Sequence, residues 1–380
     1  MMTISKPLKK FSFLVLLVSI FVGCSAVKEQ KNTPKDLKKI AYVAGYEDFD
    51  PAKVDATKLT HINYAFANIV DGNVQFELAT DKAKIESLMK LKKQNPKLKI
   101  LYSIGGWVWS DQFSNIAAYN DSRVKFAKSA VKLMKSYGFD GIDIDWEFPG
   151  QRAEDNVFRP SDKENFTLLL AELRTQLNAE TKRDNQPYLL TIAAAADQEY
   201  INHTDLGKAH QYLDFINVMC YDFYNGWMYQ TGHHANLFPS EYEKFGGNSI
   251  SQSITMLLKT AVPANKLVLG IPFYGRKWTG VEPQNNGLYQ SAHSGSEIIA
   301  SWKIAEELKS GKFEKLYDDS AKASYLWNAQ DKIFMSYETP KEIELKSKFI
   351  KSKGLGGAMF WEYSLDNNQE LLNTLFKNMQ

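Results

Sequence analysis

Short apolar segments alternate with longer amphipathic segments along most of the chain, from residue 39 to the C-terminus. The short segments are rich in Val, Ile, Leu and aromatic residues, which is typical of buried strands in a parallel sheet. Between them, apolar residues recur every three or four positions, as on the buried face of a helix. Eight strands are predicted, at residues 40–46, 61–69, 99–105, 138–148, 188–195, 215–221, 267–273 and 356–361. Helices are predicted at residues 82–94, 123–137, 163–180, 251–261 and 340–353.

This alternation predicts an α/β fold, a (β/α)8 TIM barrel. The 380 residues are enough for one such barrel with additional segments. Residues 277–336 do not fit the alternation, because they contain short aromatic stretches and a helical pattern at residues 296–308.

An acidic run lies in the fourth predicted strand, where residues 139–150 read Phe-Asp-Gly-Ile-Asp-Ile-Asp-Trp-Glu-Phe-Pro-Gly. Because strand side chains alternate between two faces, Asp143, Asp145 and Glu147 are predicted to share one face. The residues of the opposite parity are apolar, which argues against a row of solvated charges on an exposed edge strand. Carboxyl groups this close cannot all ionise at neutral pH, so at least one should hold a proton. A protonated acid beside an ionised carboxylate is what glycoside cleavage requires.

The run resembles the signature of glycoside hydrolase family 18, the chitinases, written Asp-x-x-Asp-x-Asp-x-Glu. The resemblance implies that Glu147 is the general acid, that Asp145 orients the acetamide group of the substrate, and that Asp143 shares a proton with Asp145. Asp140 has the opposite parity and is expected to be structural. In this family the substrate's own acetamide oxygen attacks the anomeric carbon, so the enzyme supplies no nucleophile. No metal and no cofactor are expected.

Motifs at the ends of other predicted strands are also similar to the family pattern. Strand three ends in Ser103-Ile-Gly-Gly-Trp107, strand six in Met219-Cys-Tyr-Asp222, strand seven in Gly270-Ile-Pro-Phe-Tyr-Gly-Arg276 and strand eight in Trp361. The resemblance implies that Tyr221 donates its hydroxyl to the acetamide carbonyl. It implies substrate contacts by Tyr46, Phe66, Trp107, Met219, Asp222, Arg276 and Trp361, with Trp361 as the floor beneath the cleaved sugar. Ser103, Gly105 and Gly106 are expected to support the site, Ser103 as a partner of Asp143. For the aromatic residues, core packing is the alternative.

Residues 277–336 resemble the α+β insertion that family members with deep clefts carry between strand seven and the following helix. The barrel would then comprise residues 39–276 and 337–380. Phe148 departs from the family pattern, which more often has Tyr at this position.

The N-terminal segment is predicted to be a signal peptide of residues 1–23, because three lysines precede an apolar stretch at residues 11–22. Cys24 follows Gly23 and resembles the cysteine of the bacterial lipobox, which is diacylated. We therefore expect a lipid anchor at Cys24 on the cell surface or periplasmic face, with residues 24–38 as a flexible tether. Plain secretion is the alternative.

Net charge and the cysteine and histidine residues limit the partners and bound groups that we expect for this chain. The net charge of +2 includes the leader lysines Lys6, Lys9 and Lys10, so a nucleic-acid partner is not indicated. Cys220 has no second cysteine in the lipidated chain, so a buried thiol is expected rather than a disulfide. The pair His233-His234 lacks acidic or cysteine neighbours in the sequence and is interpreted as a solvated loop rather than a metal site. A monomer is expected.

These observations predict a surface-anchored chitinase that cleaves β-1,4 links between N-acetylglucosamine units with retention of configuration. The expected partners are chitin or N-acetylglucosamine oligosaccharides. One alternative is an endo-β-N-acetylglucosaminidase acting on glycans or peptidoglycan. The other is a non-catalytic, lectin-like protein that binds chitin, against which the presence of Glu147 argues.

Overall fold

The structure is a computed structural model that describes residues 1–3, 36–154 and 156–380. Cys24 and nearly all of the predicted signal peptide and tether lie outside these residues. The strands are β1 (Lys38–Ala44), β2 (His61–Val70), β3 (Asn73–Gln75), β4 (Lys99–Gly105), β5 (Gly141–Asp145), β6 (Leu189–Ala195), β7 (Phe215–Met219), β8 (Leu267–Pro272), β9 (Tyr274–Trp278), β10 (Glu297–Ala300), β11 (Glu314–Asp318), β12 (Ala323–Asn328), β13 (Ile333–Tyr337) and β14 (Gly357–Trp361).

The helices follow the predicted amphipathic segments, with shorter helices in the loops. They are α1 (Asp81–Lys90), α2 (Phe113–Ala118), α3 (Asn120–Tyr137), α4 (Asp162–Asp184), α5 (Gln198–Asn202), α6 (Leu206–Ala209), α7 (Ile250–Leu258), α8 (Ser301–Lys309), α9 (Pro340–Lys353) and α10 (Glu370–Asn378). No helix in the described ranges is long and apolar enough to cross a membrane.

Eight parallel strands close into a barrel in the order β1-β2-β4-β5-β6-β7-β8-β14, because β1 pairs with both β2 and β14. β3 adds an antiparallel hairpin to β2. The predicted (β/α)8 barrel is therefore confirmed. In barrels of this kind, functional residues gather at the end at which the parallel strands terminate, because the loops that follow the strands meet there.

Strand alternation divides the barrel into two apolar layers. On β5, Ile142 and Ile144 belong to the large core between the strands and the surrounding helices. Residues of the other parity, such as Tyr42 on β1 and Met359 on β14, fill the barrel interior. Asp143 has this inward parity and is fully buried. A carboxylate at that position lies inside the barrel rather than on an exposed edge.

Of the barrel strands that end earlier than predicted, β5 and β7 affect the placement of predicted site residues. β5 begins at Gly141, because Gly138 adopts a left-handed conformation (φ 76°) that closes α3. It ends at Asp145, so Glu147 lies in the loop beyond the strand and not on the same strand face as the two aspartates. β7 ends at Met219, so Tyr221 also follows its strand.

A second sheet lies between β8 and α9 in the chain. It contains five antiparallel strands in the order β10-β9-β13-β12-β11 and so extends from Tyr274 to Tyr337, slightly beyond the predicted insertion of residues 277–336. The predicted helix at 296–308 is wrong in its first turn. Residues Glu297–Ala300 instead form β10, because they pair with β9, and α8 begins only at Ser301.

Candidate active site

Asp143 lies at the base of the site and accepts four hydrogen bonds from four different barrel strands. Its Oδ2 accepts from Tyr42 Oη at 2.8 Å and Ser103 Oγ at 2.7 Å. Its Oδ1 accepts from Thr191 Oγ1 at 2.5 Å and Asn217 Nδ2 at 3.3 Å. Burial raises the pKa of Asp143, and these hydrogen bonds oppose that shift. The network therefore fixes the carboxyl group rigidly inside the barrel.

Asp145, two residues later on the same face, has a different environment. It is 3% exposed, and within the described residues its Oδ1 has no hydrogen-bond partner. Burial and the charges of Glu147 and Asp143 raise the pKa of Asp145 well above its ordinary value. A carboxyl group in this position holds a proton readily and has a free oxygen for a ligand.

Glu147 is held by side chains of neighbouring loops, although it lies beyond the end of β5. Its backbone N–H donates to Ser110 Oγ at 2.9 Å, and its carbonyl accepts from Asn156 Nδ2 at 2.6 Å. Burial and the negative charge of Asp222 raise the pKa of Glu147 to about 8. Glu147 is therefore protonated at neutral pH and can act as an acid.

Asp222 supplies the negative charge beside Glu147. Arg276 binds it through both carboxylate oxygens, Nε to Oδ1 at 2.8 Å and Nη2 to Oδ2 at 2.6 Å. Burial alone would raise the pKa of Asp222, but His234 and Arg276 outweigh it and lower that pKa to about 2. Asp222 stays ionised, so the site contains one fixed anion and one carboxyl group that keeps its proton.

Tyr221 and Met219 have the same parity and both pack against the apolar interior of the barrel. The Tyr221 ring is 6.1 Å from that of Tyr274 in an edge-on arrangement. Burial and the charges of Asp145 and Asp222 raise the pKa of Tyr221 well above its ordinary value. Its hydroxyl therefore remains a hydrogen-bond donor.

Trp361, at the end of β14, is half-buried among aromatic rings. Its ring lies 5.6 Å from Phe66 in a stacked arrangement and 5.5 Å from Tyr42 in a tilted one. Phe66 is 9% exposed, so packing accounts for most of its surface. Tyr46, after β1, is 56% exposed and is open to a ligand.

Trp107 lies in the loop after β4, in an aromatic group with Phe148 and Trp227. Its ring centroid is 6.4 Å from that of Phe148 and 6.0 Å from that of Trp227. Its indole N–H donates to Glu154 Oε2 at 2.8 Å. Trp227 is 69% exposed and was not among the predicted residues. An exposed, paired aromatic surface of this kind suits stacking on sugar rings.

Gly105 and Gly106 allow the turn after β4 to pass close to its neighbours. Gly105 has φ 106°, and a Cβ there would lie 2.3 Å from the backbone oxygen of Asp145. Gly106 donates its N–H to that same oxygen at 2.8 Å. Asp140 instead accepts from Ile100 N at 2.7 Å and pairs with Lys92 at 2.6 Å, so it contributes to the wall of the barrel.

Several polar residues of the site were not predicted. Tyr42, Thr191 and Asn217 bind Asp143, and Ser110 binds the backbone of Glu147. The signal for the first three was available, because each is a polar residue of inward parity in an otherwise apolar strand. Ser110 lies in a loop, where no such periodicity exists.

The solvated loop predicted for His233 and His234 is wrong. Both side chains are buried, at 0% and 1% exposure, because the second sheet covers this segment. His233 Nε2 lies 3.2 Å from Asp318 Oδ2 at the end of β11. Within the ranges that the structure describes, no group of three or more His, Cys, Asp or Glu side chains is arranged to hold a metal ion.

Comparison with known proteins places the chain in a family. The model of the glycosyl hydrolases family 18 matches residues 38–366. Chitinase A1 of Niallia circulans is 36% identical over 437 residues, which cover 97% of this chain and 62% of that protein. Chitinase B of Serratia marcescens is 34% identical, over 86% of this chain and 76% of its own. The chain thus spans less than two thirds of chitinase A1.

Solved structures give the same result. A family 18 N-acetylglucosaminidase from Paenibacillus barengoltzii has a TM-score of 0.84 and 35% identity, over 90% of this chain and 100% of that one. A chitinase from Bacillus thuringiensis has a TM-score of 0.87 and 32% identity, over 91% and 70%. The chain belongs to family 18 of the glycosyl hydrolases.

Proposed function

We propose that this protein is a chitinase that hydrolyses β-1,4 links between N-acetylglucosamine units and retains the anomeric configuration. The observation that carries the proposal is the protonated Glu147 beside Asp145, whose Oδ1 is buried and has no hydrogen-bond partner in the described part of the chain. An acid next to a carboxyl group with a free oxygen is what cleavage assisted by the substrate's acetamide needs. Several relatives are named chitinases, which supports chitin as the substrate class.

In the proposed first step, a sugar lies on Trp361 and its acetamide oxygen attacks the anomeric carbon. Glu147 gives its proton to the glycosidic oxygen, so that the bond breaks and the alcohol leaves. Asp145 accepts a hydrogen bond from the acetamide N–H, and Tyr221 donates one to the acetamide oxygen. These two contacts hold the acetamide in position for attack.

In the second step, water attacks the same anomeric carbon from the face that the leaving group occupied. Ionised Glu147 takes a proton from that water and thereby returns to its initial state. Two inversions at the same carbon give net retention. Asp143 and Asp145 share a proton throughout, so Asp145 carries more negative charge while the ring that forms from the acetamide is positive.

The test is a time course on the hexamer of N-acetylglucosamine, with the anomers resolved before they interconvert. We expect shorter oligomers in the β-anomer. Early α-anomer would exclude assistance by the acetamide, and absence of any product would favour the lectin-like alternative.

The general acid is tested by Glu147→Gln, which keeps the size of the side chain and removes the proton. We expect kcat to fall by about 10²- to 10⁴-fold or more while the hexamer still binds. Glu306→Gln is the matched control, because Glu306 is exposed on α8. Near-normal turnover in Glu147→Gln would contradict the assignment.

A second candidate function is removal of single N-acetylglucosamine units. One observation favours it: the N-acetylglucosaminidase from P. barengoltzii is matched over its whole chain. The hexamer assay separates the two, because a chitinase of the proposed kind releases dimers or longer oligomers early. Monosaccharide as the sole early product would support the second candidate.

We also propose that Cys24 is lipidated and anchors the protein to a membrane, which rests on Gly23-Cys24 after the apolar leader. In a bacterial host, the full chain should incorporate labelled fatty acid and sediment with membranes. Cys24→Ser should abolish labelling, whereas Cys220→Ser should retain it. Unlabelled wild-type protein in the medium would instead indicate plain secretion.

A further inference from the structure

Adjacent buried histidines face two different parts of the molecule. His233 contacts Asp318 of the second sheet, 3.2 Å from Nε2 to Oδ2. His234 faces the active site instead, with Nδ1 3.7 Å from Oδ1 of Asp222. In the site described above, His234 helps to keep Asp222 ionised, but the proposed reaction steps give neither residue a role. The two histidines therefore form a natural pair for comparison, since only one of them reaches the site.

The backbone of His234 supports the turn that carries Asp222. Its carbonyl accepts a hydrogen bond from Phe223 N at 3.0 Å, and Phe223 is the residue after Asp222. Its N–H donates to Ser336 Oγ of β13 at 3.0 Å. Asp222 has φ 59°, in the left-handed region that side chains other than glycine rarely adopt. A turn in this conformation needs support from its surroundings.

The ring of His234 is unusual because both nitrogens are buried and, among the residues described, neither has a hydrogen-bond partner. The distance of 3.7 Å to Asp222 is too long for a hydrogen bond. Burying polar atoms without partners costs free energy that an apolar side chain of similar shape would avoid. A small movement of the Asp222 carboxylate would bring Oδ1 within reach of Nδ1–H.

We propose that His234 is a positioning residue: together with Arg276, its ring fixes the carboxylate of Asp222 and therefore the place of the negative charge beside Glu147. The inference rests on the proposed function, in which Glu147 is the acid. His234 acts on that acid only through Asp222. It would set the pH range over which Glu147 keeps its proton.

The groups around His234 make it a neutral donor rather than a charge. Asp222 is the anion that faces it, and Tyr274 packs against its ring at 5.4 Å. Arg276 and Lys346 are nearby cations, and Lys346 is itself paired with Glu338. Burial lowers the pKa of His234 to about 4, with the charge of Asp222 opposing this shift. At neutral pH the ring is uncharged, so replacing it changes position and hydrogen bonding but not net charge.

The experiment compares pH profiles of kcat/KM for wild type, His234→Leu, His234→Asn and His233→Asn, with a chromogenic N,N′-diacetylchitobioside as substrate. Leu removes both ring nitrogens. Asn places an amide nitrogen close to the position of Nδ1 and should rescue the function. His233→Asn is the matched control for a general loosening of the segment. Melting temperatures report folding, and Ala replaces Leu if that variant does not fold.

We expect His234→Leu to move the alkaline limb of kcat/KM down by about half a pH unit, which lowers kcat/KM only slightly at pH 7 and by about 2- to 3-fold at pH 8 and above. In this variant Arg276 alone holds Asp222, so less of the negative charge of Asp222 acts on Glu147. The pKa of Glu147 therefore falls, and the alkaline limb falls with it. His234→Asn should follow the wild-type profile. His233→Asn should lower the melting temperature without moving the limb.

Three results would overturn the inference: an unchanged limb in His234→Leu, an equal shift in His233→Asn, or no rescue by Asn. Should the wild-type protein cleave no substrate, the proposed function fails separately. The same variants are then compared by NMR titration of the Glu147 carboxyl carbon, labelled with ¹³C. Identical titration curves in wild type and His234→Leu would again overturn the role of His234.

Discussion

Three carboxyl groups within five residues of chain have three different surroundings. Asp143 accepts four hydrogen bonds, Asp145 has an unpartnered oxygen in the described structure, and Glu147 lies in a loop beside the charge of Asp222. Burial raises the pKa of all three, but only Asp143 has hydrogen bonds that oppose the shift. The three acids therefore differ in their hydrogen bonding and in the causes of their pKa shifts because of their partners, and not because of the residue type.

The pH dependence of activity follows from Glu147. An acid must be protonated to work, and the pKa of Glu147 is raised to about 8, so kcat/KM should fall as the pH rises through about 8. Asp222→Asn removes the neighbouring charge and should move this limb to lower pH by about one unit. Asp319→Asn, at an exposed aspartate in the turn after β11, is the control and should leave it unchanged. A limb that stays in place in Asp222→Asn would show that burial alone sets the acidity of Glu147.

At the level of single residues, the sequence predicted the acids better than their partners. Asp143, Asp145 and Glu147 lie within five residues of chain, so they are near one another even though Glu147 lies beyond the end of β5. Their partners come from distant segments: Tyr42 is 101 residues from Asp143, and the histidine at 234 reaches Asp222 only because the second sheet covers its loop. Strand parity marks Tyr42 as an inward polar residue, but which carboxyl group it contacts depends on tertiary packing, which no local pattern contains.

Single elements position the site through their ends. β4 and β5 terminate side by side, and the glycine turn after β4 packs on the last carbonyl of β5. The strand predicted at residues 138–148 is longer at both ends than β5. At its C-terminal end, the alternation of apolar and acidic residues continues through Glu147, although the chain has already left the strand. The pattern was therefore sufficient to predict that a strand lies here. The position of the strand end, where the site residues lie, depends on contacts with neighbouring loops.

The turn after β4 gives a prediction at this scale. Gly105→Ala places a Cβ against the Asp145 backbone oxygen at φ 106°, so we expect the free energy of unfolding to fall by about 3 kcal/mol or more. Gly311→Ala is the matched control, because Gly311 also has positive φ, 70°, but nothing lies within 4 Å of the added atom. That variant should lose only about 1 kcal/mol. Urea unfolding measures both, and equal losses would show that φ rather than the close contact requires the glycine.

For the molecule as a whole, the barrel was predictable and the second sheet was less so. Eight apolar strands separated by amphipathic helices give a strong periodic signal, and this part of the prediction is confirmed. The second sheet has short strands with mixed burial, such as β10, in which the first two residues are exposed and the last two are buried. A four-residue strand next to a helix resembles the first turn of that helix, which explains the wrong assignment of residues 297–300.

The chain returns from the second sheet to the barrel through a buried ion pair. Glu338 directly follows β13, and its Oε2 lies 2.6 Å from Nζ of Lys346 on α9, with both side chains at most 4% exposed. Nearby, Ser324 of β12 donates to Glu342 Oε1 at 2.8 Å, and Glu342 also caps the start of α9. These contacts hold the last strands of the sheet against a helix of the barrel.

Removing one member of this pair leaves a buried charge without a partner, so Lys346→Met should lower the free energy of unfolding by about 3–5 kcal/mol. The double variant Lys346→Met with Glu338→Gln should recover most of that loss, because the uncompensated charge is gone. Lys277→Met is the control: its ion pair with Glu307 is partly exposed and should contribute less than about 1 kcal/mol. Urea unfolding of wild type, Lys346→Met, Glu338→Gln and the double variant gives the coupling energy, with Lys277→Met measured beside them. If Lys346→Met costs no more than Lys277→Met, or the double variant is no more stable than the single one, the buried pair does not join the second sheet to the barrel.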